Sequence, residues 1–107
     1  MALFQEQLTA ASPSPSFTTV FNTAADSAVT TLFLCNIHTS AVTVNLYLKN
    51  GSGDPDDGNA IWKEISIAAK DTFVMNNERI ILAAADNILG QASVADKVTV
   101  TGTYTTI

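Results

Sequence analysis

Histidine and cysteine occur once each in these 107 residues, and Lys plus Arg number five against ten Asp plus Glu. Each scarcity excludes something. A lone Cys35 can close no intrachain disulfide and build no cysteine-based zinc site, and a lone His38 leaves every imidazole-based scheme resting on one side chain. With a net charge of −5 the chain has little with which to neutralise phosphates or settle on an anionic membrane, so neither nucleic acid nor membrane is an expected partner. The longest stretch without formal charge, residues 27–48, contains Thr30, Thr31, Asn36, His38, Thr43 and Asn45, too many polar groups for hydrocarbon. The first residues lack a basic start followed by an apolar run, so no secretory signal is expected and synthesis should be cytosolic. Charged residues make up only 14%, against ~25% in an average soluble domain, whereas 47% are apolar. That composition suits one small domain with a real core and argues against disorder.

What is present is β pattern. Thr and β-branched residues recur in short runs cut by turn signals. Strands are expected at 17–21, 28–39, 41–49, 60–67, 72–75, 80–82, 88–93 and 97–105. Residues 28–39 are apolar in both alternations, with Phe33, Cys35 and Ile37 one way and Leu32 and Leu34 the other, which predicts a strand covered on both sides. Residues 41–49 alternate strictly, which predicts burial of one face and a hairpin with the preceding strand. Between 79 and 92 the apolar spacing also fits a short helix, although Gly90 would weaken it by roughly 1 kcal/mol. The expected fold is therefore all-β, a single antiparallel β-sandwich or jelly-roll-like domain of seven to eight short strands over 17–107. Ahead of it, Ser12-Pro13-Ser14-Pro15-Ser16 favours extended backbone without ladder donors, and residues 1–16 read as an extended N-terminal arm.

Chemistry-bearing patterns are sparse. Cys35 and His38 lie three apart on an expected strand and so point to opposite faces, which prevents a thiolate–imidazole pair. The loop Asp54-Pro55-Asp56-Asp57-Gly58 is acidic enough for calcium, but its spacing fails the EF-hand pattern, and a solvated turn competes with an irregular calcium site. Glu64 and Glu78 could be a glycosidase pair only if folding sets them at the required separation. No phosphate-binding glycine loop, nucleophile elbow or basic aromatic patch is present. No catalytic residue, metal ligand or cofactor is therefore assigned. Trp62, placed by alternation opposite Ile61 and Ile65, is either an exposed anchor or part of a second-sheet core. With Tyr47 and Tyr104 it could also stack on sugar rings, as in a small carbohydrate-binding module.

Several stretches carry a family resemblance: residues 31–36, ending Leu34-Cys35-Asn36, then Ala41-Val42-Thr43-Val44; Ile67-Ala68-Ala69-Lys70-Asp71-Thr72-Phe73; Leu82-Ala83-Ala84-Ala85-Asp86-Asn87-Ile88; and a closing Thr- and Val-rich strand reaching Tyr104. Over residues 28–106 this resembles a group of small bacteriophage virion proteins, in which a glycine usually stands where Ala85 does. The resemblance implies a β-sandwich subunit of the virion, first of all a capsid decoration (cement) protein, alternatively a neck or tail component. It also implies synthesis in the bacterial cytoplasm, and as partners copies of itself, trimer or higher, and other virion proteins such as the major capsid protein. An arm that cannot fold on itself gains by covering a neighbour's edge, so Leu3, Phe4, Leu8, Pro13 and Pro15, with Trp62, are the expected subunit contacts.

Overall fold

The computed structural model describes residues 2–10, 16–51, 53–76 and 80–107. Among them, nine strands form: β1 (Ala2–Gln7), β2 (Thr18–Asn22), β3 (Ser27–Asn36), β4 (Val42–Asn50), β5 (Ala60–Ile67), β6 (Thr72–Met75), β7 (Ile80–Leu82), β8 (Asp86–Ala92) and β9 (Val98–Thr106). The fold is all-β, with two antiparallel sheets. Sheet A runs β1-β9-β3-β6, and β7 pairs with β3 beyond the end of β6, while sheet B runs β2-β8-β4-β5. The stretch that could have been helical forms β7 and β8, joined by a turn in which Ala85 takes φ 73, the left-handed conformation that glycine occupies without cost.

One core lies between the sheets. Leu32, Leu34, Val98 and Val100 come from sheet A, and Val42, Val44, Leu46 and Ile88 from sheet B, all essentially without solvent contact. Each such side chain contributes roughly 1.5–3 kcal/mol through burial. The period-two alternation of β4 and β9 thus places their valines and leucines inward as expected.

Three expectations need correction. The first is the arm. Residues 2–7 form β1 and pair antiparallel with β9 over six residues, from Ala2 opposite Tyr104 to Gln7 opposite Thr99. Leu8 then donates its N–H to Val98 and enters the core completely buried. The reason is steric as well as apolar, because both anchors of the segment fill holes left by glycines. A Cβ on Gly102 would lie 2.3 Å from Phe4 Cζ, and one on Gly90 would lie 2.8 Å from Leu8 Cδ2. Without β1, the far edge of β9 would present an open ladder. Residues 2–10 therefore belong to the domain rather than to a reach toward a neighbour, and Pro13 and Pro15 lie outside the described residues.

The second correction concerns the expected hairpin, for β3 and β4 belong to different sheets. Asn36 builds the corner between them. It is completely buried, and its Nδ2 donates to the carbonyls of Ser40, Ile67 and Ala68 at 3.0–3.2 Å while its Oδ1 accepts from the His38 N–H at 2.8 Å. Those bonds replace the ladder that the chain leaves. The third correction is that β3 is not covered on both sides. Leu32 and Leu34 are buried, but Phe33 and Ile37 are exposed and Cys35 is half-exposed.

Candidate interaction surface

Strand register builds the outer face of sheet A. Phe33 on β3 stands between Val74 of β6 and Thr101 of β9, and Cys35 stands between Thr72 and Thr99. On the far side of β9, Leu3 lies opposite Thr103 and Gln5 opposite Thr101. Since alternate residues share a face, the threonines Thr99, Thr101, Thr103 and Thr105 point outward where Val98 and Val100 point inward. Most of the exposed large apolar residues gather here, Leu3 at 67%, Ile81 at 59%, Val74 at 44% and Phe33 at 39%, with Ile37 at 46% just beyond β3 and Ile107 at 71% after β9.

Among the described residues this face bears no formal charge. β3, β6, β7 and β9 contain no Asp, Glu, Lys or Arg at all, and Glu6, the one charge of β1, alternates with Ala2 and Phe4 toward the other side. Charge begins only at the rim, where the Lys70 ammonium donates to the Ile37 carbonyl at 2.8 Å. Polar groups within the face bond sideways to one another. Gln5 Nε2 donates to Thr101 Oγ1 at 2.9 Å, and the Thr30 and Thr103 hydroxyls meet at 2.8 Å. What they leave outward is largely methyl and methylene surface.

Sheet B is treated differently. On its outer side Tyr47, Leu89 and Gln91 are buried although they alternate away from the core. The chain covers them itself. Phe17 packs edge-on against Tyr47 with ring centroids 5.6 Å apart, and Gln91 Nε2 donates to the Ser16 carbonyl while its Oε1 accepts from Asn45 and Tyr47. The Lys63 ammonium lies 5.9 Å from the Tyr47 ring centre and pairs with Asp57 at 2.9 Å. The Asp57 carboxylate first, and then the Tyr47 hydroxyl, hold that ammonium above the ordinary lysine range. Asp56 caps the 3₁₀ turn Asp57–Asn59 by accepting from the Gly58 N–H at 2.9 Å. The acidic loop thus folds back through Asp56 and Asp57, and among the described residues no group of three His, Cys, Asp or Glu side chains could hold a metal ion.

The expected contact residues do not share one surface. Leu3 is on the outer face of sheet A, whereas Phe4 and Leu8 are core groups. Trp62 turns inward, half-buried, and meets Phe73 edge-on at 5.2 Å, which joins the two sheets along their β5 and β6 edges. Simple alternation put Trp62 and Ile65 on opposite faces. A bulge reverses that: Trp62 pairs with Leu46 and Ile65 with Val44, so two residues of β5 oppose Asn45 alone, with Glu64 at φ 57. No glycine marks the spot. The three aromatics suggested as a sugar platform lie apart, Tyr47 under Phe17, Tyr104 against Phe4 and Phe21, and Trp62 against Phe73. Cys35 and His38 form no pair, and Glu78 lies outside the described residues. An open depression at one end, with Thr23, Asn22, Asn87 and Ala85 among its lining, presents hydroxyls and amides but no titratable side chain. Of the exposed apolar residues, sequence reasoning singled out Leu3 as a contact but not Phe33, Val74 or Ile81. For Phe33 the signal was the double alternation of 28–39, which says that a strand has two apolar faces but not what lies against each.

Compared with protein-family models, curated proteins and solved structures, the chain has no significant match.

Proposed function

We propose that this is a structural protein of a bacteriophage virion, a capsid decoration subunit that reinforces the shell by contacts between proteins and carries out no reaction of its own. The observation that carries the reading is the contrast between the sheets. Among the described residues, one outer face is covered by the chain itself, while the other is bare, apolar and uncharged. Exposed apolar area of that kind is costly in water and belongs to a protein-contact surface rather than to a substrate cleft.

A finer reading of the fold supports the proposal. With β7 set aside, the antiparallel pairs are nested, β1 with β9, β2 with β8, β3 with β6 and β4 with β5. A ribbon of nested pairs rolled into two facing sheets is a jelly-roll sandwich, an architecture found in viral capsid and lectin domains. Architecture alone does not choose between those uses, and the scattered aromatics give a sugar platform no support. The resemblance of residues 28–106 to small virion proteins favours the shell. In this reading the protein is made in the host cytoplasm and ends in the particle, beside other copies and the major capsid protein.

The deciding measurement is copy number in purified particles of the phage that encodes the chain. Hundreds of copies mean decoration, six or twelve place it in the neck or tail, and absence from particles overturns the proposal.

A further inference from the structure

We propose that the bare face of sheet A is where two copies of this chain meet, face to face about a two-fold axis. The inference rests on the reading of that face as a contact surface and adds the identity of the occupant. Charge is the first argument. Two copies bring −5 and −5 together, so contact through the acidic loops would set carboxylate against carboxylate. The face of sheet A is the exception among the described residues, since β3, β6, β7 and β9 carry no charge to be desolvated or opposed and Glu6 of β1 alternates toward the other side. A partner of opposite charge would gain nothing here, whereas an identical uncharged face fits without penalty.

Area is the second argument. The five strands of sheet A hold 32 residues, which at ~3.4 Å per residue and ~4.8 Å between strands give a footprint of about 520 Å² on each copy. Two such footprints, about 1,040 Å² together, reach the roughly 1,000 Å² that a specific interface needs. Phe33, near the middle between β9 and β6, is the aromatic anchor that such a patch needs at its centre.

Symmetry is the third. A two-fold interface uses the same patch on both subunits, but a three-fold ring needs two different complementary patches. Among the described residues only this sheet face is both apolar and bare, because residues 16–17 and the side chain of Lys63 cover the outside of sheet B. The geometry therefore points to a dimer instead of the trimer or higher assembly expected from resemblance.

The test is sedimentation velocity of the full chain over a hundredfold concentration range, for the wild type, Phe33→Lys and Ser66→Lys. Phe33 and Ser66 are both exposed, so both variants should melt with the wild type, and each adds the same charge, one on the bare face and one on β5. The expected result is a wild-type dimer, unchanged in Ser66→Lys and weakened at least a hundredfold in Phe33→Lys. A wild type that is monomeric throughout, a trimer, or equal weakening by the two variants overturns the proposal. None of those results bears on copy number in particles, so the two readings fail separately.

Discussion

Gly102 sits beneath the Phe4 ring, and replacing it with Ala tests whether β1 is keyed to β9 by that fit. The new Cβ would fall 2.3, 2.7 and 2.9 Å from Cζ, Cε1 and Cε2 of Phe4, too close for any real contact. The ring cannot slide freely, because Phe21 lies 4.8 Å and Tyr104 6.2 Å from it, centre to centre. Gly102→Ala should therefore lift Phe4 out of the cluster. Overpacking of this kind costs about 1–3 kcal/mol. Against that, Ala in a strand gains roughly 0.5–1 kcal/mol over Gly. The net loss should be about 1–2 kcal/mol. The informative variant is the same change in a Phe4→Ala background, where the clash is gone and only the backbone gain is left. There Gly102→Ala should stabilise by roughly 0.5–1 kcal/mol, a reversal of sign and a coupling of about 2 kcal/mol between residues 98 positions apart. Urea unfolding at a fixed protein concentration, followed by Trp62 fluorescence, measures all four corners of the cycle. If the two changes add within ~0.5 kcal/mol, the ring does not depend on the glycine and the account of β1 fails.

Other consequences can be measured in the same way. Ala85→Gly, at φ 73 in an exposed turn, should raise stability by about 1 kcal/mol, since the left-handed conformation costs an L-residue roughly 1–2 kcal/mol; a loss would show that the turn is not in that conformation. Asn36→Leu should cost about 2–4 kcal/mol, because three carbonyls and the His38 N–H lose their partner at a buried corner, and near-neutral unfolding midpoints would contradict it. The Lys63 pKa is raised in the folded state, so whatever its bond to Asp57 contributes is present at neutral pH and is lost only as pH rises through that raised value. Alkaline titration of the Lys63 side chain by NMR should give a lower midpoint in Asp57→Asn than in the wild type, and equal midpoints would contradict the pairing.

Local pattern and long-range fit were not equally readable in the sequence. The bounds of β5, β6 and β7 follow from turn residues that stand beside them, such as Asn59 and Lys70-Asp71, and the inward valines of β9 follow from period two. The first strand was hidden for a different reason. Leu3-Phe4-Gln5 has no meaning until Gly102, far along the chain, supplies a socket for its ring. Alternation set Trp62 on the face opposite Ile65 because the bulge at Lys63 and Glu64 uses a non-glycine residue at positive φ, which no local composition announces. Phe33 was seen to be apolar on a second face, but whether Ser16 and Phe17 would cover it or cover sheet B instead is a matter of tertiary path. The bare face is thus the part of the candidate site that only three dimensions supply.

The pairing of β1 with β9 also sets a schedule. Sheet B has all four strands once residue 92 is made, but β1 finds its ladder partner in residues 99–104, and β3 draws one of its neighbours from the same strand. At ribosomal rates of about 5–20 residues per second, the first strand waits roughly 5–20 s for its partner. Through that interval Phe4 has no Gly102 to lie on, and the ladder groups of β1 face water. Sheet A is closed only by synthesis of β9, so until that strand is made β1 stays open to a wrong partner.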